Sequence, residues 1–560
     1  MDNRRLLMLA IFGFSLLMLW DSWQKQHQPV EHLTPAAAVA STPQSAASGV
    51  PVPTATPSTA SLPVAPNANS LPDVSAAVSS APKITVKTDV VVAEISAQGG
   101  DLVSLELRKH KASGDESGHF LLFDSGSKHF YQGQSGLIGA GLPNHKTTWH
   151  LLSTNGELKD GEDTIRVALE APIESGGKVV KTYTFHRNDY LIDVDYQVVN
   201  SGATALQASA YFQTTRDGKP AEVSSAPMMG MGASTFTGPA VYTEKDKYQK
   251  VAFTDIDKEK AKYATHANDG WVAMVQHYFV SGWFPKAGVE REFYIRKLGD
   301  NLYSAGVIVP FASVQPGATS NLGVQLYAGP QEQEKLTRIA TGFELVVDYG
   351  WLAMIAEPIF WVMGKIHGVV GNWGWSIILL TVLIKACFFP LSAASYKSMA
   401  KMRVVTPKMQ KLKEMYGDDR ARLNQEMMEL YKKEKINPLG GCLPIVVQIP
   451  VFISLYWVLL GAVEMRNAPW LGWITDLSVK DPFYVLPLIM GATMLIQTKL
   501  NPTPPDPMQA KVMQIMPVVF TAMFLFFPSG LVLYWVVNNA LSIAQQWQIT
   551  RIIEGGKKTA

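Results

Sequence analysis

The chain has 560 residues, more than one ordinary domain needs, and its formal net charge of +2 argues against a nucleic-acid partner. Apart from a run near the N-terminus, the long apolar runs lie in residues 371–550, whereas residues 83–335 have the composition of a soluble domain. Cys387 and Cys442 lie in or beside apolar runs, so the soluble part must be stabilised by its core without a disulfide.

Residues 1–24 are predicted to form an N-terminal transmembrane anchor. Arg4 and Arg5 precede an uncharged run from Leu6 to Trp20, a pattern that signal peptides and signal anchors share. The nearest small-x-small cleavage motif, Ala38-Val39-Ala40, lies roughly 20 residues beyond this run, which is too far for ordinary processing. We therefore expect the anchor to be retained and the segment that follows it to be exported.

Residues 25–82 are rich in proline, alanine and serine and carry few charges. Such a composition cannot bury enough apolar surface to fold by itself, so we predict a flexible linker. The linker is long enough to let the next domain lie several nanometres from the anchor.

Residues 83–335 are predicted to form a large all-β sandwich. Apolar and polar residues alternate there with the period of half-buried strands, and glycine and asparagine turn signals recur between them. The alternation is clearest at Ile84, Val86, Val90 and Val92, and at Tyr190, Ile192, Val194, Tyr196 and Val198. Large sandwiches often bind sugars, but the sequence has no clustered pair of carboxylates with an aromatic platform, so a scaffold or protein-docking surface is the favoured interpretation.

Residues 336–370 are predicted to contain an interfacial amphipathic helix. The stretch from Trp351 to Val370 is apolar overall, yet it contains Glu357, Pro358 and Lys365. Charges and a proline in this pattern are more typical of a helix that lies in the membrane interface than of one that spans the bilayer.

Residues 371–550 are predicted to contain five transmembrane helices, which make six with the anchor. The predicted spans are Gly371–Phe389, Leu439–Val463, Phe483–Thr498, Val512–Phe527 and Gly530–Ile549. Two of them have only 16 residues and reach about 24 Å, against a hydrocarbon core of roughly 30 Å, so they could thin the bilayer locally.

The charges of the loops predict the orientation, because positively charged loops remain in the cytoplasm. Residues 392–437 contain 11 lysines and arginines against 6 acidic residues, whereas residues 464–481 contain 2 against 3. The first loop and the basic tail 551–560 are therefore expected in the cytoplasm, with both termini. The sandwich then lies outside, which is the periplasm for a protein of a bacterial inner membrane.

The cytoplasmic loop 392–437 is predicted to form a helical hairpin. Its apolar residues repeat at three and four positions on both sides of a break at Tyr416 to Asp419. They are Met402, Val405, Met409 and Leu412 before the break, and Leu423, Met427 and Leu430 after it. Such a hairpin fits a gate or a docking site, and a solvated connector remains open as the simpler interpretation.

Lys385 is the most informative single residue, because a charge inside an otherwise apolar span usually marks a functional path. Polar and aromatic side chains follow one face of three spans, and buried together they would form a wet groove. The predicted groove residues are Lys385, Thr381, Gln448, Phe452, Tyr456, Tyr534, Trp535, Asn538 and Ser542. Snorkelling of the lysine towards the nearby membrane surface, and hydrogen bonding between helices, are the simpler interpretations.

No motif for energy coupling or metal catalysis is present in the sequence: neither G-x-x-x-x-G-K-[ST] nor H-E-x-x-H occurs. We therefore expect no enzyme, no cofactor and no metal site. A small-solute transporter with a periplasmic accessory domain is the alternative, but it predicts two matching halves, and no internal repeat is visible. An envelope sugar-binding protein would need one anchoring span and no buried cation.

Four segments carry a resemblance to a known family: GNWGWSIILLTVLIKACFFPL, SMAKMRVVTPKMQKLKEMYGDD, NPLGGCLPIVVQIPVF and FPSGLVLYW. In order and spacing they resemble the YidC/Oxa/Alb family of membrane protein insertases, and the anchor, linker and strand-rich domain look like its Gram-negative form. The resemblance implies insertion of nascent membrane proteins, alone or beside the Sec translocon, through a five-helix groove open to cytoplasm and lipid. It also makes the ribosome and the signal recognition particle receptor candidate partners.

Lys385 departs from the arginine that many relatives carry at the matching position. Lysine is a point charge and cannot form the planar two-pronged contact of arginine, so this sequence favours electrostatic attraction or groove hydration over a carboxylate clamp. The hypothesis is that a hydrated cationic groove attracts the polar part of an incoming chain while its apolar segment moves into lipid.

Overall fold

The computed structural model describes residues 81–112, 118–126, 129–153, 156–219, 236–417, 419–434, 443–501 and 507–555. They all belong to one compact unit. The predicted anchor 1–24 and the linker as far as residue 80 lie outside the described residues, as do residues 556–560 of the predicted tail.

The β-domain is a sandwich of two sheets, and each sheet has nine antiparallel strands within the described residues. The first sheet runs in the order β1-β2-β3-β4-β5-β10-β17-β16-β13 and the second in the order β12-β11-β14-β15-β18-β9-β8-β7-β6. The strands of the first sheet are β1 Lys83–Lys87, β2 Val91–Ser96, β3 Leu102–Lys111, β4 His119–Ser125, β5 Phe130–Ile138, β10 Ser209–Asp217, β13 His266–Ala267, β16 Arg291–Gly299 and β17 Leu302–Pro310. The strands of the second are β6 His150–Leu151, β7 Thr164–Pro172, β8 Gly177–His186, β9 Leu191–Asn200, β11 Gly238–Thr243, β12 Lys247–Lys250, β14 Trp271–Gln276, β15 Phe279–Pro285 and β18 Thr319–Pro330.

The alternation of β9 is confirmed, because Ile192, Val194, Tyr196 and Val198 are all buried in the core between the sheets. At the start of the domain the predicted pattern is wrong by one residue. Val86 and Val90 are buried, but in β2 it is Val91 that points inward, and Val92 is only half-buried. The hydroxyl of Thr88 accepts hydrogen bonds from the amides of Val90 and Val91 and so forms a tight turn. Before this turn the even-numbered residues face the core, and in β2 the odd-numbered residues do.

The sandwich core contains a buried charge pair that sequence reasoning did not identify. Lys181 in β8 is completely buried, and its Nζ lies 3.8 Å from Oδ1 of Asp101. The ammonium also donates to the carbonyls of Gly99 and Ser135. Burial raises the pKa of Asp101 and lowers that of Lys181, because each charged form loses its hydration.

Ten helices follow or interrupt the strands within the described residues. They are α1 Phe253–Asp257, α2 Gln333–Ile339, α3 Ala353–Val370, α4 Trp373–Cys387, α5 Phe389–Tyr416, α6 Arg420–Lys433, α7 Leu443–Gly461, α8 Val485–Leu500, α9 Pro507–Phe524 and α10 Ser529–Gly555. Short 3-10 turns occupy Phe343–Val346, Gly350–Leu352 and Val463–Met465. The helix α10 lies at the centre of the helical part, since it packs against α4, α5, α7 and α8.

Within the described residues, α3 is the only unbroken helix whose length and apolar composition would allow it to cross a membrane. It forms most of the segment that we predict to be interfacial, and it exposes Met354, Trp361 and Val369. The apolar stretches of α7, α8 and α9 are shorter, so the structure does not establish six spans.

The helix α4 forms a bent pair with the beginning of α5, with an angle of 67° between them. The break falls at Phe388, directly before the first turn of α5, which contains Pro390. Proline lacks the amide hydrogen that would continue α4, and it suits the first turn of a new helix. The predicted span Gly371–Phe389 therefore ends two residues earlier, at Cys387.

Candidate functional site

The side chain of Lys385 lies between helices and is only 5% exposed. Its Nζ donates a hydrogen bond of 2.8 Å to Oγ of Ser542 on α10. The Ser542 hydroxyl in turn donates to the carbonyl oxygen of Asn538, at 2.7 Å. The lysine therefore points into the helix bundle in this structure, and the snorkelling interpretation does not describe its position.

Gln448 brings the third helix, α7, into the same polar cluster. Its Nε2 donates to Oδ1 of Asn538 at 2.8 Å. Asn538 thus contacts Gln448 through its side chain and Ser542 through its backbone. Three of the predicted polar groove residues and the cation lie in one connected network, which joins α4, α7 and α10.

Thr381 is buried on the same face of α4 as Lys385, but its hydroxyl serves its own helix. Its Oγ1 donates to the carbonyl of Ile377 at 2.6 Å. Such a bond to the preceding turn satisfies the hydroxyl, so Thr381 contributes shape to the site more than polarity.

The predicted aromatic residues form a wall next to the polar cluster. The rings of Phe452 and Trp535 meet edge to face, with centroids 4.3 Å apart, and Phe452 also stacks with Tyr534. Tyr456, one turn further along α7, faces Phe527 at 6.1 Å. These pairs fasten α7 to α10 and to the residues just before α10.

A small cavity adjoins the lysine. It has a volume of about 10 Å³. Lys385, Ser392 and Gln448 supply its polar lining, and Ile384, Phe388, Leu391 and Val447 supply the rest. A space of this size, with polar partners, holds about one water molecule. The helices would therefore have to separate before a polypeptide segment could enter.

Sequence reasoning missed a second polar ladder on α10, which faces α8. Asn539 donates to Oγ1 of Thr493, and Nε2 of Gln546 donates to the carbonyl of Leu500 and to Oδ1 of Asn501. The signal was present, because Asn539 and Gln546 are seven residues apart and so share a helical face.

The cytoplasmic hairpin has its own small core where α5 and α6 pack together. Val405, Met409 and Met427 are buried there. Met402, Leu412, Leu423, Leu430 and Tyr431 pack around them, partly buried. Lys408 and Glu434 form an ion pair at 2.6 Å across the two helices. The helix α5 begins at Phe389, before the predicted hairpin boundary at 392, because the break at Phe388 starts a new helix.

The sandwich has a cavity of about 620 Å³ beside its second sheet, into which several carboxylates converge. Asp193, Asp195, Glu244 and Asp269 all line it. Asp193 and Asp195 come from β9, whereas Glu244 and Asp269 come from segments distant in sequence, so the sequence alone did not show that these carboxylates share a cavity. Trp271 also lines the cavity, but it is 1% exposed and offers no open ring face for a sugar.

Comparisons with known proteins match both the sandwich and the helices of this chain. Residues 83–362 match the family model described as the YidC periplasmic domain, and residues 365–557 match the 60Kd inner membrane protein. A membrane protein insertase YidC from Aromatoleum aromaticum is 61% identical over 560 residues, covering 100% of both chains. The chain belongs to the YidC family of membrane protein insertases.

A second relative is similar to this chain over its full length. A membrane protein insertase YidC from Dechloromonas aromatica is 56% identical over 561 residues, covering 100% of this chain and 99% of that protein. Among solved structures, an active YidC insertase with its first transmembrane domain resolved covers 83% of this chain and 92% of its own, at 18% identity and a TM-score of 0.39. The two family models divide the chain: the two-sheet sandwich lies within the residues that match the YidC periplasmic domain, and α4 to α10 lie within those that match the inner membrane protein.

Proposed function

We propose that this protein inserts nascent membrane proteins into the bacterial inner membrane and assists their folding. The observation that carries this proposal is the hydrogen-bonded network of Lys385, Ser542, Asn538 and Gln448 between three apolar helices. Polar groups and a cation between membrane helices are costly to bury, so where they occur they usually mark a path for a substrate. The full-length similarity to the two insertases supports the same function.

The proposed topology has six spans, with both termini in the cytoplasm and the sandwich in the periplasm. The excess of basic residues in loop 392–437 and the net negative loop 464–481 support it. The anchor 1–24 would be the first span, and α4, α7, α8, α9 and α10 would form the core. The short α8 and α9 would thin the bilayer around the groove.

The proposed mechanism uses the network as the nucleus of a hydrated groove. When α4 and α10 separate, Lys385 loses its contact with Ser542, and water together with the polar segment of a substrate takes that place. The ammonium attracts acidic or polar groups as a point charge and shortens the apolar path that they must cross. The substrate's own apolar segment then moves into lipid, so the driving free energy is its partitioning.

We propose that this process involves no enzymatic step and no cofactor, because the substrate's partitioning supplies the energy. The Sec translocon, the ribosome and the signal recognition particle receptor are the proposed partners, and the α5–α6 hairpin is their proposed docking site. Its charged surface and its own small core support the role of a folded element that reaches into the cytoplasm.

The test is insertion of a small single-span or hairpin substrate into vesicles that contain the purified protein. Wild type, Lys385→Ala and Lys385→Arg are compared side by side. We expect Lys385→Ala to lose most insertion and Lys385→Arg to retain it, because a cation of either kind supplies the charge. Equal insertion by all three variants would show that the cation is dispensable.

Hydration of the groove can be measured separately with a water-borne thiol reagent. Single cysteines replace Thr381 or Gln448 in a protein that lacks Cys387 and Cys442. We expect labelling to increase when a stalled substrate holds the groove open. Complete protection in every state would contradict a hydrated groove.

A further inference from the structure

The segment that follows α7 folds back over the ends of several helices and also contacts the sandwich. We call residues 462–484 the cap segment. It begins with the 3-10 turn Val463–Met465, where Val463 and Met465 are buried. It carries the loop 464–481 that the proposed topology places on the periplasmic side. How this segment is held in place bears on whether the groove opens to one side of the membrane or to both.

The cap segment is hydrogen-bonded to the beginnings of three helices. Asn372, which caps α4, donates from Nδ2 to the carbonyl of Pro469 at 2.9 Å. Ser529, the first residue of α10, donates to the carbonyls of Asp476 and Val479. Asp481, which is 1% exposed, accepts from the amide of Leu486 in the first turn of α8. The cap segment therefore holds α4, α8 and α10 together at one end.

The guanidinium of Arg466 attaches this cap segment to the sandwich. Its Nη2 donates a hydrogen bond of 2.7 Å to the carbonyl of Lys111, the last residue of β3. Its Cζ also lies 5.0 Å from the ring centroid of Phe120, 5.3 Å from that of Phe279 and 5.9 Å from that of Tyr278. A cation surrounded by three rings and bonded to a carbonyl is a specific contact, because several groups of the sandwich are arranged around one charge.

His277 makes a second attachment close by. Its Nε2 donates to the carbonyl of Leu460 at 2.9 Å, and Leu460 lies in the last turn of α7. Carbonyls in the last turn of a helix lack partners within the helix, so the sandwich supplies one. His277 directly precedes Tyr278 and Phe279, so one turn of the sandwich contributes to both attachments.

We propose that Arg466 is a positioning residue that locks the cap segment onto the sandwich and thereby keeps the groove closed on the sandwich side. The proposal rests on the proposed insertase function, because it assigns the closed side of that groove. It gives the sandwich a mechanical role: the sandwich holds the cap segment, and the cap segment holds the ends of α4, α8 and α10. Opening at Lys385 is then confined to the opposite end of these helices.

The experiment measures the exposure of a reporter cysteine in the cap segment of the full chain, reconstituted in vesicles. Ile474, which is 2% exposed, is replaced by cysteine in a protein that lacks Cys387 and Cys442. A water-borne thiol reagent is added from the side that carries the sandwich. We expect Arg466→Gln to increase the labelling rate roughly tenfold, since it removes the cation from the rings. Arg466→Lys should restore only part of the protection, because the ammonium keeps the positive charge but lacks the planar guanidinium that packs on the rings.

Two controls separate positioning from general destabilisation. Arg296→Gln removes an arginine that also packs on a ring, that of Tyr294, but lies in β16 away from the cap segment. It should leave Ile474→Cys protected. A second reporter, Ala305→Cys, lies in the core of the sandwich and should remain protected in Arg466→Gln.

The outcomes decide the proposal. Faster labelling of Ile474→Cys alone, together with reduced insertion by Arg466→Gln, supports it. Labelling at the wild-type rate, equal increases at both reporters, or unchanged insertion despite faster labelling would each overturn it. The two proposals can be told apart by their variants. Lys385→Ala should reduce insertion while Ile474→Cys stays protected, because that variant changes the groove and leaves the cap segment in place. Normal insertion by Lys385→Ala would overturn the role of the cation, whereas an unchanged labelling rate in Arg466→Gln would overturn the role of Arg466.

Discussion

Gly374 lies so close to the indole of Trp470 that a β-carbon built on the glycine would be 2.2 Å from the ring. Gly374 is in the first turn of α4, and Trp470 belongs to the cap segment. The contact allows the tryptophan to pack directly on the helix backbone, and no other amino acid leaves that space.

Gly374→Ala should therefore destabilise the protein, by about 1 to 3 kcal/mol, because the added methyl group overpacks this contact. Gly368→Ala in α3 is the matched control, since a β-carbon there meets nothing within 4 Å. The control should be neutral or stabilising by about 0.5 to 1 kcal/mol. Thermal unfolding in detergent measures both variants, and equal effects would show that the contact with Trp470 is not tight.

Ser542→Ala should weaken the packing of α4 against α10. The change leaves the buried ammonium of Lys385 without the acceptor at 2.8 Å, at a cost of about 1 to 3 kcal/mol. Ser454→Ala is the control, because Ser454 is equally buried but donates only to the carbonyl of Pro450 in its own helix. Thermal unfolding should show a clearly larger loss for Ser542→Ala than for Ser454→Ala.

Asp101→Ala should destabilise the sandwich by about 3 to 5 kcal/mol, because it leaves the charge of Lys181 buried without its counter-ion. The double variant Asp101→Asn with Lys181→Met should recover much of this loss, since it removes both buried charges at nearly unchanged volume and keeps an acceptor for the amide of Gln134. Glu94→Ala, which breaks an exposed pair with Lys83, should cost less than about 1 kcal/mol. Thermal unfolding compares the three, and a double variant as weak as Asp101→Ala would contradict the explanation.

His277 should make the junction between the sandwich and α7 sensitive to acid. Burial lowers the pKa of His277 from 6.5 to about 4; the hydrogen bond to Leu460 opposes this shift, and the positive charge of Arg466 adds to it. Below pH 6.5 the unfolded chain binds a proton that the folded chain excludes, so stability is complete above pH 6.5 and falls as the pH decreases towards 4.

The variant His277→Gln isolates this effect, because glutamine can donate to Leu460 and does not titrate. His110, Glu464 and Arg466 also lie near the junction, and we expect their contributions to cancel in the comparison of the two proteins. Unfolding between pH 7.5 and 4.5 should show wild type losing about 1.4 kcal/mol per pH unit relative to His277→Gln below pH 6.5. Parallel pH profiles would contradict the assignment.

Met427→Ala should loosen the cytoplasmic hairpin, because Met427 is 8% exposed within the small core between α5 and α6. The hairpin should lose about 2 kcal/mol of stability, the low end of the range for a core methionine replaced by alanine, because this core is small. Its neighbour Met428 is 51% exposed, so Met428→Ala should have little effect. Limited proteolysis within residues 392–437 should be faster for Met427→Ala alone.

Local patterns in the sequence were sufficient to predict many elements of this fold. The period of two in β9 and the period of three to four in the hairpin report on one face of one element, so they are visible without knowledge of its partners. Lys385 was conspicuous for a similar reason, since one charge in an apolar span is a local anomaly. The parity change at Thr88 was missed, because it depends on side-chain hydrogen bonds within a turn.

The sequence by itself determined the class of the protein: a strand-rich domain joined to apolar helices, with Lys385 inside the first of the five predicted core spans, and with the motifs of an insertase family. The tertiary structure decided which residues meet. Lys385 and Ser542 are 157 positions apart, and Arg466 reaches Lys111 across 355 positions. Such contacts depend on how whole sheets and helices pack, and burial of apolar surface determines that packing through many weak and non-directional interactions. The identity of any single residue therefore does not reveal its distant partner.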